Sequence, residues 1–110
     1  LILSNQLEVI GGQAFYGMTS VKVINIPSTI EYIGYNICGN SEIETVIIRR
    51  SITDGILPRI VSEMLNMEDR ESDPIIYVPD DSVQAYISIF DSSFMVDYIK
   101  PISEYQEDIE

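Results

Sequence analysis

The strongest constraint in this sequence is an internal repeat. The segment Leu7–Gly11 (LEVIG) returns 23 residues later as Ile30–Gly34 (IEYIG). A set of apolar residues also returns 22 residues later: Val21, Ile24 and Ile26 match Ile43, Val46 and Ile48. A period of about 20–25 residues is typical of solenoids, in which each repeat forms one coil stacked on the next. Such proteins bind partners over extended surfaces and seldom carry chemistry of their own.

Short stretches of alternating, mostly β-branched apolar residues predict one half-buried strand per repeat. Four stretches fit: Leu1–Leu3, Val21–Ile26, Ile43–Ile48 and Ile76–Val78. Pro27 and Pro79 mark strand ends, because proline cannot donate a ladder hydrogen bond. Tight corners with positive φ are predicted at the glycines between strands, namely Gly11, Gly12, Gly34 and Gly39.

The second half of the chain departs from the compact repeat. Pro58–Met67 carries apolar residues at helical spacing and predicts a short amphipathic helix starting at Pro58. A second helix is predicted after Pro79, with Asp80 or Asp81 as its N-cap. A last short strand is predicted within Met95–Ile102, and the residues from Glu104 onwards predict a frayed tail.

Net charge argues against several classes of partner. The 110 residues carry a formal charge of −12, and 45% of them are apolar. Residues 55–110 hold thirteen of the acidic groups and three of the basic ones. Such a chain repels phosphate backbones, which disfavours nucleic-acid binding. No apolar run approaches the roughly 18 residues that a membrane-spanning helix needs, so membrane insertion is not expected.

The sequence offers no constellation for catalysis or metal binding. It contains no histidine and a single cysteine, Cys38, which excludes an intrachain disulfide and a cysteine-based metal site. Cys38 falls in a slot predicted to face the core, so burial is favoured over a nucleophilic role. The acidic clusters at Glu68–Asp73 and Asp80–Asp81 lack the spacing and glycine turn of a calcium loop. We expect no catalytic residue, metal site or cofactor.

Two motifs together resemble the BspA-type leucine-rich repeat family. The first is Ile10–Pro27 (IGxxAFxxMxxVxxIxIP), and the second is the closing pair Ile76–Tyr86 (IYVPDxSVxAY) and Ile99–Glu104 (IKPISE). The resemblance implies a bacterial surface or secreted protein that binds other proteins or host matrix and is not an enzyme. It supports a right-handed leucine-rich-repeat solenoid, a β-rich fold of the α/β class. We expect short stacked parallel strands and one or two short helices in the C-terminal half.

The predicted organisation is a single leucine-rich-repeat domain over residues 1–110. Its parts are regular repeats over 1–52, a divergent third repeat over 53–79, a C-terminal cap over 80–104 and a frayed tail over 105–110.

The alternation of the strands predicts one outward-facing surface that could contact a partner. Its residues are Ile2, Val23, Asn25, Thr45, Ile47 and Tyr77. Stacked coils would place Ile2, Asn25, Ile47 and Tyr77 in one column, three of them apolar, and exposed apolar columns can mark interaction surfaces. The alternative is that the C-terminal segment or a neighbouring chain covers this face as ordinary core.

Three functions therefore stay open at this point. The first is a non-enzymatic module for protein–protein interaction or adhesion at the bacterial surface. The second is a purely structural C-terminal cap of a longer solenoid whose ligand site lies upstream. The third is carbohydrate binding through the seven tyrosines. The edge strand Leu1–Leu3 invites a further strand, from upstream repeats or by self-association with a second chain.

Overall fold

Two parallel β-sheets and one short helix make up the described part of the chain. The computed structural model describes residues 3–34, 37, 42–52, 58–60, 74–90 and 98–105. In chain order the strands are β1 Val9–Ile10, β2 Val23–Ile26, β3 Tyr32–Ile33, β4 Thr45–Ile48, β5 Arg59–Ile60, β6 Ile75–Val78 and β7 Ile99–Pro101. The major sheet has the order β2-β4-β6-β7, and the minor sheet has the order β1-β3-β5. The helix α1 spans Val83–Phe90.

Both sequence repeats appear as strand registers. In the major sheet Ile24 pairs with Val46 and Ile26 with Ile48, which is the 22-residue match. In the minor sheet Ile10 pairs with Ile33, which is the 23-residue match. Consecutive coils therefore place equivalent residues side by side, as expected for an α/β repeat fold with parallel strands.

The core lies between the sheets and consists almost entirely of branched aliphatic side chains. Ile24 and Ile26 are fully buried, while the residues between and before them are half-buried. The remaining members of the cluster are Ile10, Phe15, Ile30, Ile33, Ile37, Ile43, Val46, Ile48, Ile52, Ile60, Ile76, Val78, Tyr86 and Ile99. Removing each such side chain from water contributes about 1.5–3 kcal/mol before the entropic cost of ordering it.

The predicted helix over Pro58–Met67 is wrong at its start. Arg59–Ile60 forms β5, which pairs in parallel with β3, and the rest of that stretch lies outside the described residues. In the previous coil the backbone N–H groups of Glu31 and Tyr32 both donate to the Glu8 carbonyl. Pro58 has no N–H, so only Arg59 donates to the carbonyl of Glu31, at 2.8 Å. Arg59 and Ile60 nevertheless pair in register with Tyr32 and Ile33.

The glycine at position 34 is explained by close packing between coils and not by a positive φ. Among the described glycines only Gly17 has positive φ, so the prediction of positive φ is wrong at Gly11, Gly12 and Gly34. A Cβ on Gly34 would lie 2.5 Å from the backbone nitrogen of Gly12 in the preceding coil. The coil can stack at this corner only because residue 34 has no side chain.

The C-terminal elements follow the prediction in outline. The helix is present, but the turn that begins it is a 3-10 helix, Asp80–Ser82, whose N-cap is Pro79 without a side-chain capping bond. The last strand is confirmed over Ile99–Pro101. A second 3-10 helix, Ile102–Glu104, follows it, so Glu104 is not part of a frayed tail. Three sets of residues lie outside the described part of the chain: Leu1–Ile2, Cys38 and the acidic stretch 68–73.

Candidate functional site

The outer face of the major sheet is the side turned away from the core, and two columns of residues run across it. The first column is Val23, Thr45 and Ile75, and the second is Asn25, Ile47, Tyr77 and Lys100. Neighbouring strands lie about 4.8 Å apart, so equivalent side chains form continuous rows. The predicted register of Asn25, Ile47 and Tyr77 is therefore confirmed, and Ile2 lies outside the described residues.

The second column is largely closed to a partner. Ile47 is only 1% exposed although it lies outside the core cluster, so the expectation of an exposed apolar column is wrong at this residue. Beside it, the Arg49 guanidinium donates two hydrogen bonds to Asn25 Oδ1, at 2.6 and 3.1 Å from Nη2 and Nε. At the other end the Tyr105 ring packs on the Tyr77 ring, with centroids 5.0 Å apart. The C-terminal segment thus contacts this face, as the alternative reading expected.

The first column has no fully buried member and has a charged border. Val23, Thr45 and Ile75 are each half-buried. Next to them Lys22 Nζ lies 3.5 Å from carboxylate oxygens of both Glu42 and Glu44, and all three side chains are exposed. An apolar strip with a hydroxyl at its centre and ionic groups at its rim can contact a folded protein surface.

A smaller surface on the minor sheet was missed by sequence reasoning. Val9, Tyr32 and Arg59 are in register on its outer side. Val9 is 57% exposed, and Tyr16 in the following turn is 46% exposed; they are the exposed large apolar residues of the described chain. The sequence signal was the residue before the buried isoleucine of each motif, which is Val9 in LEVIG and Tyr32 in IEYIG.

A row of side-chain hydrogen bonds connects successive coils along the corner that follows the major sheet. Thr29 Oγ1 donates to the Leu7 carbonyl, Arg50 Nη1 to the Ile30 carbonyl and Tyr86 Oη to the Arg50 carbonyl, each at 2.6 Å. Each carbonyl belongs to one coil and each donor to a later one. The last donor, Tyr86, comes from α1 and is fully buried. Burial raises the pKa of Tyr86 well above that of an exposed tyrosine, so the phenol remains a donor through the neutral range.

Ser82 makes a second contact between α1 and the last regular coil. It is the buried polar residue of the described chain, at 1% exposure. Its Oγ accepts the backbone N–H of Ile52 at 2.7 Å and donates to Asp81 Oδ1 at 2.8 Å. Ser51 Oγ lies 3.3 Å from the same carboxylate oxygen. Side chains of the helical segment therefore bond to groups of the corner that follows β4. One sequence signal was available for these two contacts. Ser82 and Tyr86 are four residues apart, so they lie on the same face of a helix.

Asp80 joins the start of the helical segment to the residues after β7. Its Oδ1 accepts the backbone N–H of Ser103 at 3.0 Å. Hydrogen bonding by Ser103 favours the charged carboxylate and lowers the pKa of Asp80.

Metal and membrane features can be assessed over the described part of the chain. There, no group of three or more metal-ligating side chains converges. No helix in the same residues is long and apolar enough to cross a membrane.

Comparison with known proteins agrees with the repeat structure. The family model of the BspA type leucine rich repeat region (6 copies) matches residues 1–56, which is half of the chain. No curated protein and no solved structure matches the chain significantly. The matched residues contain the strands β1 to β4, in which the registers reproduce both sequence repeats. The chain therefore belongs to the BspA-type leucine-rich repeat family.

Proposed function

We propose that this chain is a non-enzymatic repeat module that binds another protein through the outer face of the major sheet. The supporting observation is the in-register column of Val23, Thr45 and Ile75 beside the exposed Lys22 and its two glutamates. Family membership points the same way, because leucine-rich repeats generally serve protein interaction.

The contact surface is centred on Val23 and Thr45. Ile47 is buried and cannot supply contact area, while Asn25 and Tyr77 are half-buried and border the first column. An apolar centre within a polar rim is the usual anatomy of a protein interface. The chain's charge of −12 disfavours nucleic acid and favours a neutral or basic partner surface.

The resemblance extends the proposal to location. We infer a secreted or cell-surface module of a bacterium, with a host-matrix or bacterial surface protein as the partner. The fold proposed for it is a right-handed solenoid to which the strands of both sheets contribute one coil after another.

A structural role is the second candidate, and the contacts of Tyr86 and Ser82 favour it. Both side chains satisfy backbone groups of the last regular coil, which is the role of a capping element in a solenoid. In this version residues 80–104 close the end of a longer solenoid, and the ligand site lies upstream.

The leading proposal is tested with charge-introducing variants of the outer face. Val23→Lys combined with Thr45→Lys is compared with Ser28→Lys combined with Gln84→Lys, which adds the same charge at two exposed positions elsewhere. Binding to immobilised matrix proteins and to purified bacterial surface proteins is measured by biolayer interferometry, after circular dichroism has confirmed folding. We expect the outer-face pair to weaken binding about tenfold or more and the control pair to stay within about twofold.

The other outcomes separate the alternatives. Equal binding by both double variants contradicts the contact surface. Loss of binding after enzymatic deglycosylation of the immobilised targets supports a carbohydrate module instead. For the capping role, Tyr86→Ala is introduced into the complete protein; loss of cooperative unfolding, with ligand contacts mapped outside this segment, favours a purely structural part.

A further inference from the structure

The segment Ile99–Tyr105, here called the strap, passes from the edge of the major sheet onto its outer face. It begins as β7, which pairs with β6 from Ile99 to Pro101. After one turn of 3-10 helix its last residue places a ring against Tyr77, with an interplanar angle of 55°. Tyr105 therefore covers the Tyr77 end of the second column.

The strap has fewer buried residues than the neighbouring strands of the major sheet. Ile99 is the one residue of this segment that is buried, whereas β4 and β6 together contribute five buried residues. β7 is an edge strand that ends in Pro101, which has no N–H to donate. A segment with few buried contacts and exposed hydrogen bonds opens at a lower free energy than the core.

Ile99 holds the start of the strap in the core, and two side-chain contacts that are accessible to solvent hold the residues after it. The first is the hydrogen bond from the Ser103 N–H to Asp80 Oδ1, between two exposed residues. The second is the packing of Tyr105 on Tyr77, both of them half-buried. Loss of either contact leaves the aliphatic core of the coils intact, because neither residue belongs to it.

We propose that the strap opens as a unit while the repeats stay folded, and that opening uncovers Tyr77 for a protein segment that presents an aromatic side chain in the position of Tyr105. The opening itself is independent of the proposed function, whereas its effect on binding rests on it. The strap would then act as an intramolecular competitor that occupies one end of the outer face until a partner displaces it.

Hydrogen exchange of the full chain, followed by mass spectrometry, tests the opening. We expect the amides of 99–105 to exchange at least tenfold faster than those of β4 in the unaltered protein. Asp80→Ala removes the acceptor of the Ser103 N–H and should speed strap exchange about tenfold further, with β4 unchanged. Asp80→Asn keeps an acceptor oxygen and should have a smaller effect.

Tyrosine nitration provides an independent measure of uncovering. Tyr105→Ala removes the covering ring without touching the core, and we expect the nitration rate of Tyr77 to rise several-fold while that of Tyr86 stays low. Strap and β4 amides that exchange at one common rate in every variant would overturn the proposal, as would an unchanged strap rate in Asp80→Ala. An opening strap combined with unaltered binding by the Val23→Lys/Thr45→Lys variant would contradict the proposed function alone.

Discussion

The regular coils and the C-terminal helical segment stabilise the same core by different means. Between regular coils, backbone N–H groups pair with backbone carbonyls one coil earlier, as from Gly34 to Ile10 and from Arg49 to Ile26. At the corner after the major sheet, the Thr29 and Arg50 side chains add donors between regular coils. At the helical segment such contacts come from Tyr86, which donates to a carbonyl, and Ser82, which accepts an N–H. Backbone pairing nevertheless continues past the helical segment, because β7 pairs with β6 in the major sheet.

This difference determines how each region tolerates substitution. The coils depend on shape, because equivalent positions of successive coils present the same kind of apolar residue, and Gly34 leaves no room for a side chain at its corner. The helical segment depends on single polar groups whose loss leaves one backbone atom unsatisfied. The predictions below probe the two regions in turn.

The largest effect is expected from a charge inside the regular coils. Ile26 is fully buried in β2, so Ile26→Asp places a carboxylate among aliphatic side chains without a partner. We expect a loss of about 4 kcal/mol or more in the free energy of unfolding, measured by urea denaturation. Ser28→Asp, on an exposed residue of the same coil, should stay within about 0.5 kcal/mol. A melting curve near that of the unaltered protein for Ile26→Asp would contradict the inward orientation of β2.

A second test uses two glycines at equivalent repeat positions. Gly34→Ala forces a Cβ into the backbone of Gly12, and we expect a cost of about 3 kcal/mol. Gly11→Ala meets nothing within 4 Å and has no positive φ, so its stability should change by less than about 1 kcal/mol. Thermal denaturation measures both variants. Equal losses of stability for Gly34→Ala and Gly11→Ala would contradict the close approach of Gly34 to Gly12 as the cause.

Much of the coil region could be predicted from the sequence because its contacts repeat. Residues that occupy the same slot in successive coils must have the same character, which is why Val21, Ile24 and Ile26 predicted the register with Ile43, Val46 and Ile48. LEVIG and IEYIG indicated the repeat, but no strand was predicted in either segment, so the minor sheet was not predicted. Its third strand was missed, because Pro58 replaces the glutamate of the motif and is equally suited to a helix start.

The candidate site was predicted less well, because its features depend on single tertiary contacts. Alternation correctly placed Ile47 opposite the core, but alternation cannot show that a neighbouring group buries an outward residue. Tyr105 lies in a stretch whose acidic composition resembles a solvated tail, yet its ring packs on Tyr77. Contacts such as that of Tyr86 with Arg50 join residues 36 positions apart and leave no periodic pattern.

A smaller effect is expected at the junction of the two regions. Tyr86→Phe removes the hydroxyl that donates to the Arg50 carbonyl while keeping the ring in the core. We expect a loss of about 1–2 kcal/mol in the free energy of unfolding, since a part-buried carbonyl is left without its donor. Tyr16→Phe, at an exposed ring, should change it by less than about 0.5 kcal/mol. Similar values for the two variants would show that the junction depends on packing alone.

The Tyr86 hydroxyl also predicts that the free energy of unfolding depends on pH in the alkaline range. Because burial raises the pKa of Tyr86 in the folded state, its contribution is complete below the ordinary tyrosine pKa of about 10 and declines as pH rises towards the folded value. Above pH 10 the unaltered protein should lose stability more steeply than Tyr86→Phe, by up to about 1.4 kcal/mol per pH unit. Denaturation series at pH 8 to 11 measure the two slopes, and parallel slopes would contradict a buried, protonated Tyr86.

The smallest effect is expected on the outer face, where Lys22 pairs with Glu42 and Glu44. These ion pairs are exposed and 3.5 Å long, so Lys22→Gln should cost less than about 0.5 kcal/mol, and 1 M salt should remove the difference. Lys100→Gln, without an ion pair among the described residues, provides the matched control. A loss well above 1 kcal/mol at Lys22 would mean that this border holds the coils together. A small loss would mean that these ion pairs contribute little to holding the coils together.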